Sequence, residues 1–232
     1  MLTILQARMS STRLPGKVMR PILGEPMLAR QIERVLRATR IGRLVVATST
    51  GADDDSIEAL CELLDVACFR GSLDDVLGRF AAAAEAFGPS DQIVRLTGDC
   101  PLADWTVIDA VIDLHMAERA DYTSNTQKLT YPKGLDVEVF KAGALQAAQR
   151  ESADPYEREH VTAFIYRRPE RFRLANLERD PPLGDLRWTV DTPADFAFVE
   201  RVYAALYPGD PAFTSDDVVR FTANDTLPGR EG

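Results

Sequence analysis

The strongest constraint on how this chain can fold is a regular alternation, over its first half, of short apolar runs with stretches of helical period. Residues 2–6, 44–48, 66–69 and 92–97 are apolar runs of strand length, and residues 27–38, 54–64, 73–87 and 105–118 read as the helices between them. Strands that alternate with helices through short loops make parallel βαβ units, with ligands taken at the carboxyl ends of the strands. The fold class expected is α/β, a mostly parallel sheet between two helical layers. Past about Asp121 the rhythm breaks. Residues 121–125 and 135–140 read as strands pairing outside the βαβ series, 155–166 as a helix, 172–177 and 187–191 as strands, and 193–207 as a helix with proline in its first turn. No linker interrupts the 232 residues, so one domain is expected, with a nucleotide-binding half (1–120), an acceptor and dimerisation half (121–210) forming a small mixed lid, and a tail (211–232) that frays from about Leu227.

Charge narrows the function. A net charge of −9 argues against a nucleic-acid binder, which needs an outward basic face. Residues 1–24 nevertheless carry Arg8, Arg13, Lys17 and Arg20 and no acid at all, a seat for a small polyanion in an acidic protein. Cys61, Cys68 and Cys100 form no CxxC pair and read as free thiols; His115 and His160 are too few and too far apart for zinc. No apolar stretch approaches the ~20 residues of a membrane span. A cytoplasmic protein without membrane partners is expected.

Three motifs carry chemistry. QARMSSTRLPGK (residues 6–17) leaves the first strand and offers backbone N–H groups, hydroxyls, guanidinium groups and a lysine to a polyphosphate, without being a GxxxxGK[ST] or GxGxxG loop. Its Arg8 and Lys17 are expected to be exposed. TGDCPL (residues 97–102) ends the fourth strand and holds Asp99 at the sheet rim, as a metal ligand or as a cap for the next helix, a role for which Asp104 is better placed. WTVDTPADF (residues 188–196) sets Asp191 before a proline-started helix, where a ligand and an N-cap read equally well. Taken together, Asp99 and Asp191 could share one Mg²⁺, which favours one or two carboxylates completed by water and phosphate.

These motifs resemble the cytidylyltransferases. The first loop is similar to the nucleotide-binding loop of the CMP-KDO synthetases and, more loosely, of the CMP-sialic acid synthetases. FRGSLDDVLGRF (69–80), RLTGDCPL (95–102), SNT (124–126), YPKGLDVEVF (131–140), REHVT (158–162) and RWTVDTPADF (187–196) resemble the spore-coat polysaccharide SpsF-like branch, a likeness spanning about residues 2–207. The resemblance implies a Rossmann-like nucleotidyltransferase fold, CTP as donor, a small sugar-type acceptor, Mg²⁺ and a homodimer. It places phosphates on Arg8 and Lys17, with Gln6, Ala7, Ser10, Ser11, Arg13, Arg70, Ser72, Thr97 and Asp99 around the nucleotide, and the metal on Asp99 and Asp191. Asn125, Arg158 and His160 are candidate acceptor contacts, the last two also readable as surface. Asp136 and Glu138 share one face of their strand, meeting either the acceptor or a neighbouring strand's base. Asp53, Asp54 and Asp55 precede a helix and read as capping acids, as do Asp74 and Asp75. A GT-A glycosyltransferase and a non-catalytic nucleotide-binding regulator are the rival readings.

Overall fold

The computed structural model describes residues 1–224, so the fraying expected from Leu227 lies outside it. Strand β1 (Leu2–Gln6) leads into the first loop. A small hairpin of β2 (Pro21–Ile22) and β3 (Glu25–Pro26) delivers the chain to helix α1 (Met27–Val35). Then β4 (Arg43–Ser49), α2 (Asp55–Leu63), β5 (Ala67–Gly71), α3 (Val76–Phe87), β6 (Gln92–Thr97) and α4 (Trp105–Glu118) follow in the alternation read from the sequence. The second half contributes β7 (Tyr122–Ser124), β8 (Glu138–Lys141), α5 (Ala142–Glu151), α6 (Pro155–Glu159), α7 (Ala163–Tyr166), β9 (Leu174–Asn176), α8 (Pro193–Leu206) and α9 (Ser215–Asn224).

The main sheet has the order β5-β4-β1-β6-β8-β7-β9. Strands β5, β4, β1 and β6 are mutually parallel, β8 runs against both β6 and β7, and β9 is parallel to β7. From β1 the chain steps outward through β4 to β5, then returns to lay β6 on the other side of β1. The connections leaving β1 and β6 therefore diverge and open a crevice beyond Gln6 and Thr97, which are register partners. Gly98 makes the crevice possible. Its N–H donates to the Gln6 carbonyl at 2.7 Å, and a Cβ at this position would stand 2.9 Å from the Ala7 Cβ.

Alternate residues of the strands feed two apolar layers. Leu5, Val46, Val94 and Val139 pack with α1, α2, α4 and α8, while Leu2, Ile4, Val45, Ile93 and Phe140 pack with α3, α5 and α7. This is the three-layer α/β arrangement expected. Caps behave as anticipated at two helices: Asp75 accepts from the Gly78 N–H, and Asp104 from the Thr106 N–H at 2.8 Å.

Other expectations need correction. The predicted helix 155–166 breaks into α6 and α7 because His160 leaves helical geometry, at φ −100° and ψ 75°. The predicted strand 187–191 is an extended strap with a single bridge to Lys133, not a member of the sheet. Strand 135–140 starts late, at Glu138, because residues 135–137 are held by the Asn125 side chain. Helices α5 and α9 and the β2–β3 hairpin went unforeseen; α9 occupies part of the expected tail. No helix among the described residues is long and apolar enough to cross a membrane.

His115 shows how tightly the second half is joined to the first. From the last turn of α4 its buried ring reaches Thr123 Oγ1 at 2.9 Å and Gln92 Oε1 at 2.8 Å, tying α4 to β7 and β6. Burial, reinforced by the charge of Lys141, lowers its pKa from 6.5 to about 4. The unfolded chain then takes up this proton first as pH falls. Stability is complete above about pH 6.5 and is lost progressively down to about pH 4, by at most about 3 kcal/mol. Urea titrations at pH 7.5 and pH 5 should show that loss in the wild type and a smaller one in His115→Gln; equal slopes would place the acid sensitivity elsewhere.

Candidate active site

The first loop is built around the Met9 peptide. Its carbonyl accepts from the N–H groups of Ser11 and Gly16, at 2.9 and 3.1 Å, and its own N–H donates to Asp54 Oδ1 at 2.7 Å. Gly16 takes φ +67°, a left-handed turn that glycine adopts without strain, and directs Lys17 inward. Lys17 is buried, not exposed as the sequence suggested. Its ammonium donates to the Val190 carbonyl at 2.5 Å and stands 3.1 Å from Asp191 Oδ1 and 3.5 Å from Asp99 Oδ2. Residues distant in sequence thus meet around one cation.

The strap carrying Asp191 is fixed independently. Gly134, at φ +105°, lies so close that a Cβ there would come within 2.6 Å of the Thr189 nitrogen. The Trp188 N–H donates to the Lys133 carbonyl and the Val190 N–H to the Asp99 carbonyl, at 2.6 and 2.8 Å. The two readings of Asp191 are separated here. Thr192 caps α8 in a reciprocal box with Asp195, which leaves the Asp191 carboxylate to Lys17, Arg13 (3.0 Å) and Arg187. Partial burial would raise its pKa. The Lys17 bond and charge, with Arg187 and Arg13, outweigh that and hold it below the ordinary carboxylate value.

These groups surround an open cavity of about 240 Å³ beyond β1 and β6, lined by Gln6, Ala7, Arg8, Ser10, Ser11, Arg13, Lys17, Thr97, Asp99 and Asp191. A larger groove, about 1360 Å³, lies between α3 and α5 at the opposite ends of the strands, and its charged lining is balanced, Glu85, Asp91 and Asp121 against Lys141, Arg150 and Arg171, where that of the smaller cavity is cationic in excess. Arg79, which the sequence reading passed over, also lines the smaller cavity. It is buried in the second turn of α3, and burial together with the charge of Arg8 lowers its pKa. An arginine among the apolar residues of that Ala-rich helix, whose one other charge is Glu85, was the signal available.

Several expected contacts point elsewhere. Arg70 is engaged with Glu58 and Asp55, both at 2.7 Å, and with the carbonyls of Ser49 and Gly51; Ser72 Oγ accepts from the Asp75 N–H. Neither lines the cavity. Asn125 is not an acceptor contact but a clamp, donating to the Leu135 carbonyl at 2.7 Å and accepting from the Val137 N–H at 2.9 Å. Glu138 is buried against Arg95, Tyr122 and Thr162, the alternative pairing with a neighbouring strand's base. Arg158 pairs with Asp75, and exposed His160 stacks on Tyr156 with ring centroids 4.2 Å apart. Asp136 remains exposed. Local burial and the nearby charges of Glu138 and Asp99 outweigh a bond from the Gly134 N–H and raise its pKa. Asp54 does not cap α2; its oxygens serve Met9 and Ser49.

Two carboxylates within reach of one ammonium suit a divalent ion that completes its shell with water and phosphate. Among the described residues no three His, Cys, Asp or Glu side chains gather as a metal cage. Asp99 and Asp191 are the carboxylates that line the cavity, hard oxygen donors of the kind Mg²⁺ takes.

A doubly wound sheet with a cationic loop and paired carboxylates at its switch point defines a nucleotidyltransferase-type architecture. The chain matches the family model described as cytidylyltransferase over residues 2–203 and belongs to that family. It is 39% identical over 210 residues to the spore coat polysaccharide biosynthesis protein SpsF of Bacillus subtilis, covering 87% of this chain and 85% of that one. It is 30% identical over 203 residues to 3-deoxy-manno-octulosonate cytidylyltransferase 2 of Hydrogenovibrio crunogenus, covering 78% of each. A solved cytidylyltransferase from Leptospira borgpetersenii superposes with a TM-score of 0.91 at 30% identity, over 98% of each chain.

Replacing Lys17 tests the core of this site. Lys17→Met leaves two partly buried carboxylates facing each other, and losing one partner of such a cluster costs about 3 kcal/mol. The melting temperature should fall, and millimolar Mg²⁺ should restore more of it in the variant than it adds to the wild type. An unchanged melting temperature would mean that the Lys17 contacts contribute nothing.

Proposed function

We propose that this protein transfers CMP from CTP to a hydroxyl of a sugar-type acceptor, releasing pyrophosphate, in the synthesis of a polysaccharide or surface-glycan precursor. The observation that carries the reading is the convergence of the first loop, Asp99 and Asp191 on one cavity at the crevice between β1 and β6. Membership of the cytidylyltransferase family favours it over glycosyl transfer and over a regulator without catalysis. The whole chain acts as one domain, with residues 1–120 holding the nucleotide and residues 121–210 the acceptor and a second subunit.

Arg8, Arg13 and Lys17 hold the β- and γ-phosphates and offset the charge that collects on pyrophosphate as it leaves. Ser10 and Ser11 add hydroxyl donors from the same loop, and Thr97 lines the floor. Asp99 and Asp191 hold Mg²⁺, which when bound supplies Lewis-acid polarisation of the phosphate oxygens. The acceptor oxygen bonds to the α-phosphorus as the bond to the β-phosphate oxygen breaks. Asp136, exposed near Asp99 and with a raised pKa, is our candidate to take the hydroxyl proton.

Pyrophosphate release should be measured with each of four nucleoside triphosphates against a panel of sugars and sugar acids, with Mg²⁺ and with EDTA. CTP should bind at least tenfold more tightly than ATP or GTP, about 1.4 kcal/mol and within reach of one or two hydrogen bonds. Equal affinities would remove the cytidylyl assignment. Asp99→Asn and Asp191→Asn should each lose at least a hundredfold in turnover, and the double variant should be little worse than the worse single one, since groups acting as a unit are non-additive. Wild-type turnover in Asp191→Asn would remove the second metal ligand. Light scattering should give about twice the 25.7 kDa of the chain; a monomer at micromolar concentration would exclude the dimer.

A further inference from the structure

We propose that Asp54 is a positioning residue for the nucleotide: its buried carboxylate fixes the first loop in the shape that receives the triphosphate. The inference rests on the functional reading above but on different atoms.

Asp54 sits just before α2 and is 2% exposed. Its Oδ1 accepts from the Met9 N–H at 2.7 Å, across 45 residues of sequence. Its Oδ2 accepts from the Ser49 N–H at 2.9 Å and the Ser49 hydroxyl at 2.5 Å. One carboxylate thus joins the first loop to the end of β4. Burial alone would raise its pKa. The bonds from the Ser49 side chain, the Met9 amide and the Ser49 amide prevail and lower it, so the charged form is the one the fold selects.

Met9 is the pivot of the loop. Its carbonyl already receives Ser11 and Gly16, fixing the peptide after it, and Asp54 fixes the peptide before it through the Met9 N–H. The chain on either side carries exposed Arg8 and Arg13, whose positions depend on the intervening peptides. Ordering a loop's backbone costs conformational entropy, and a loop fixed in advance spares the nucleotide that cost on binding. Asp54 touches neither the cavity nor a substrate, so its effect passes through Met9.

The loop contains trypsin sites after Arg8, Arg13 and Lys17, which give a local readout independent of activity. Nucleotide-free wild type, Asp54→Ala, Asp54→Asn and a control altered away from the loop, His115→Gln, should be digested well below the lowest of their measured melting temperatures and the first cuts mapped by mass. We expect Asp54→Ala to be cut in the loop at least tenfold faster than the control and to bind CTP at least tenfold more weakly by calorimetry. Asp54→Asn should lie between, because an amide oxygen can still accept from Met9 while its NH₂ opposes the donors of Ser49. If Asp54→Ala does not fold, Asp54→Asn against His115→Gln decides the matter with the same two measurements. Loop cutting at the control rate, or faster cutting with CTP affinity unchanged, would overturn the proposal. A wild type that binds no CTP would instead defeat the functional reading, leaving the cutting comparison to judge the hold on the loop.

Discussion

Asp99 and Asp191 project into one partly buried space from separate parts of the chain, and the Lys17 ammonium lies between them. Like charges in a partly buried space repel, and an ammonium 3.1 Å from one carboxylate and 3.5 Å from the other offsets that repulsion. The ammonium also donates to the Val190 carbonyl, and the Val190 N–H reaches the Asp99 carbonyl. Loop, rim and strap therefore close as one assembly. The sheet provides a crevice; this ion cluster provides its third wall.

The same electrostatics explain an acidic protein with a basic opening. Arg8, Arg13 and Arg79 face the cavity with few acids to answer them on that side, and the Arg79 Nε has no hydrogen-bond partner among the described residues. A buried guanidinium with an unmet N–H is costly to the fold.

Legibility in the sequence followed the range of the interactions. The parallel half was readable because each strand and helix is fixed by local periodicity, and residues 105–118 matched α4 to the residue. Most of the cavity lining was readable because it clusters in two short motifs at strand ends, joined by Asp191 from a third; Arg79, inside α3, was missed. Failures began where a side chain's partner lies far away. The hydroxyl of Thr162 reaches Glu138 from between α6 and α7, at the break in the predicted helix. Asp54 resembles any acid before a helix until Met9 is placed beside it. Residues 187–191 have the apolar pattern of a strand, yet their partners are Lys133 and Asp99, one backbone contact at a time.

Strand β8, which breaks the parallel order, shows how the second half acts on the first. Its reversed register sets Glu138 directly opposite Arg95 of β6, and the two form a buried ion pair. Burial would lower the pKa of Arg95 and raise that of Glu138; their mutual attraction, with the Thr162 and Tyr122 hydroxyls on Glu138, reverses both shifts. The rest of the guanidinium is turned toward β1, where its Nε and Nη2 both donate to Gln6 Oε1, at 3.2 and 3.0 Å. With its oxygen occupied, the Gln6 carboxamide has only N–H groups left for the cavity. A strand of the second half thus fixes, through Arg95, the polarity of a side chain in the first, and the cavity floor at Gln6 presents hydrogen-bond donors.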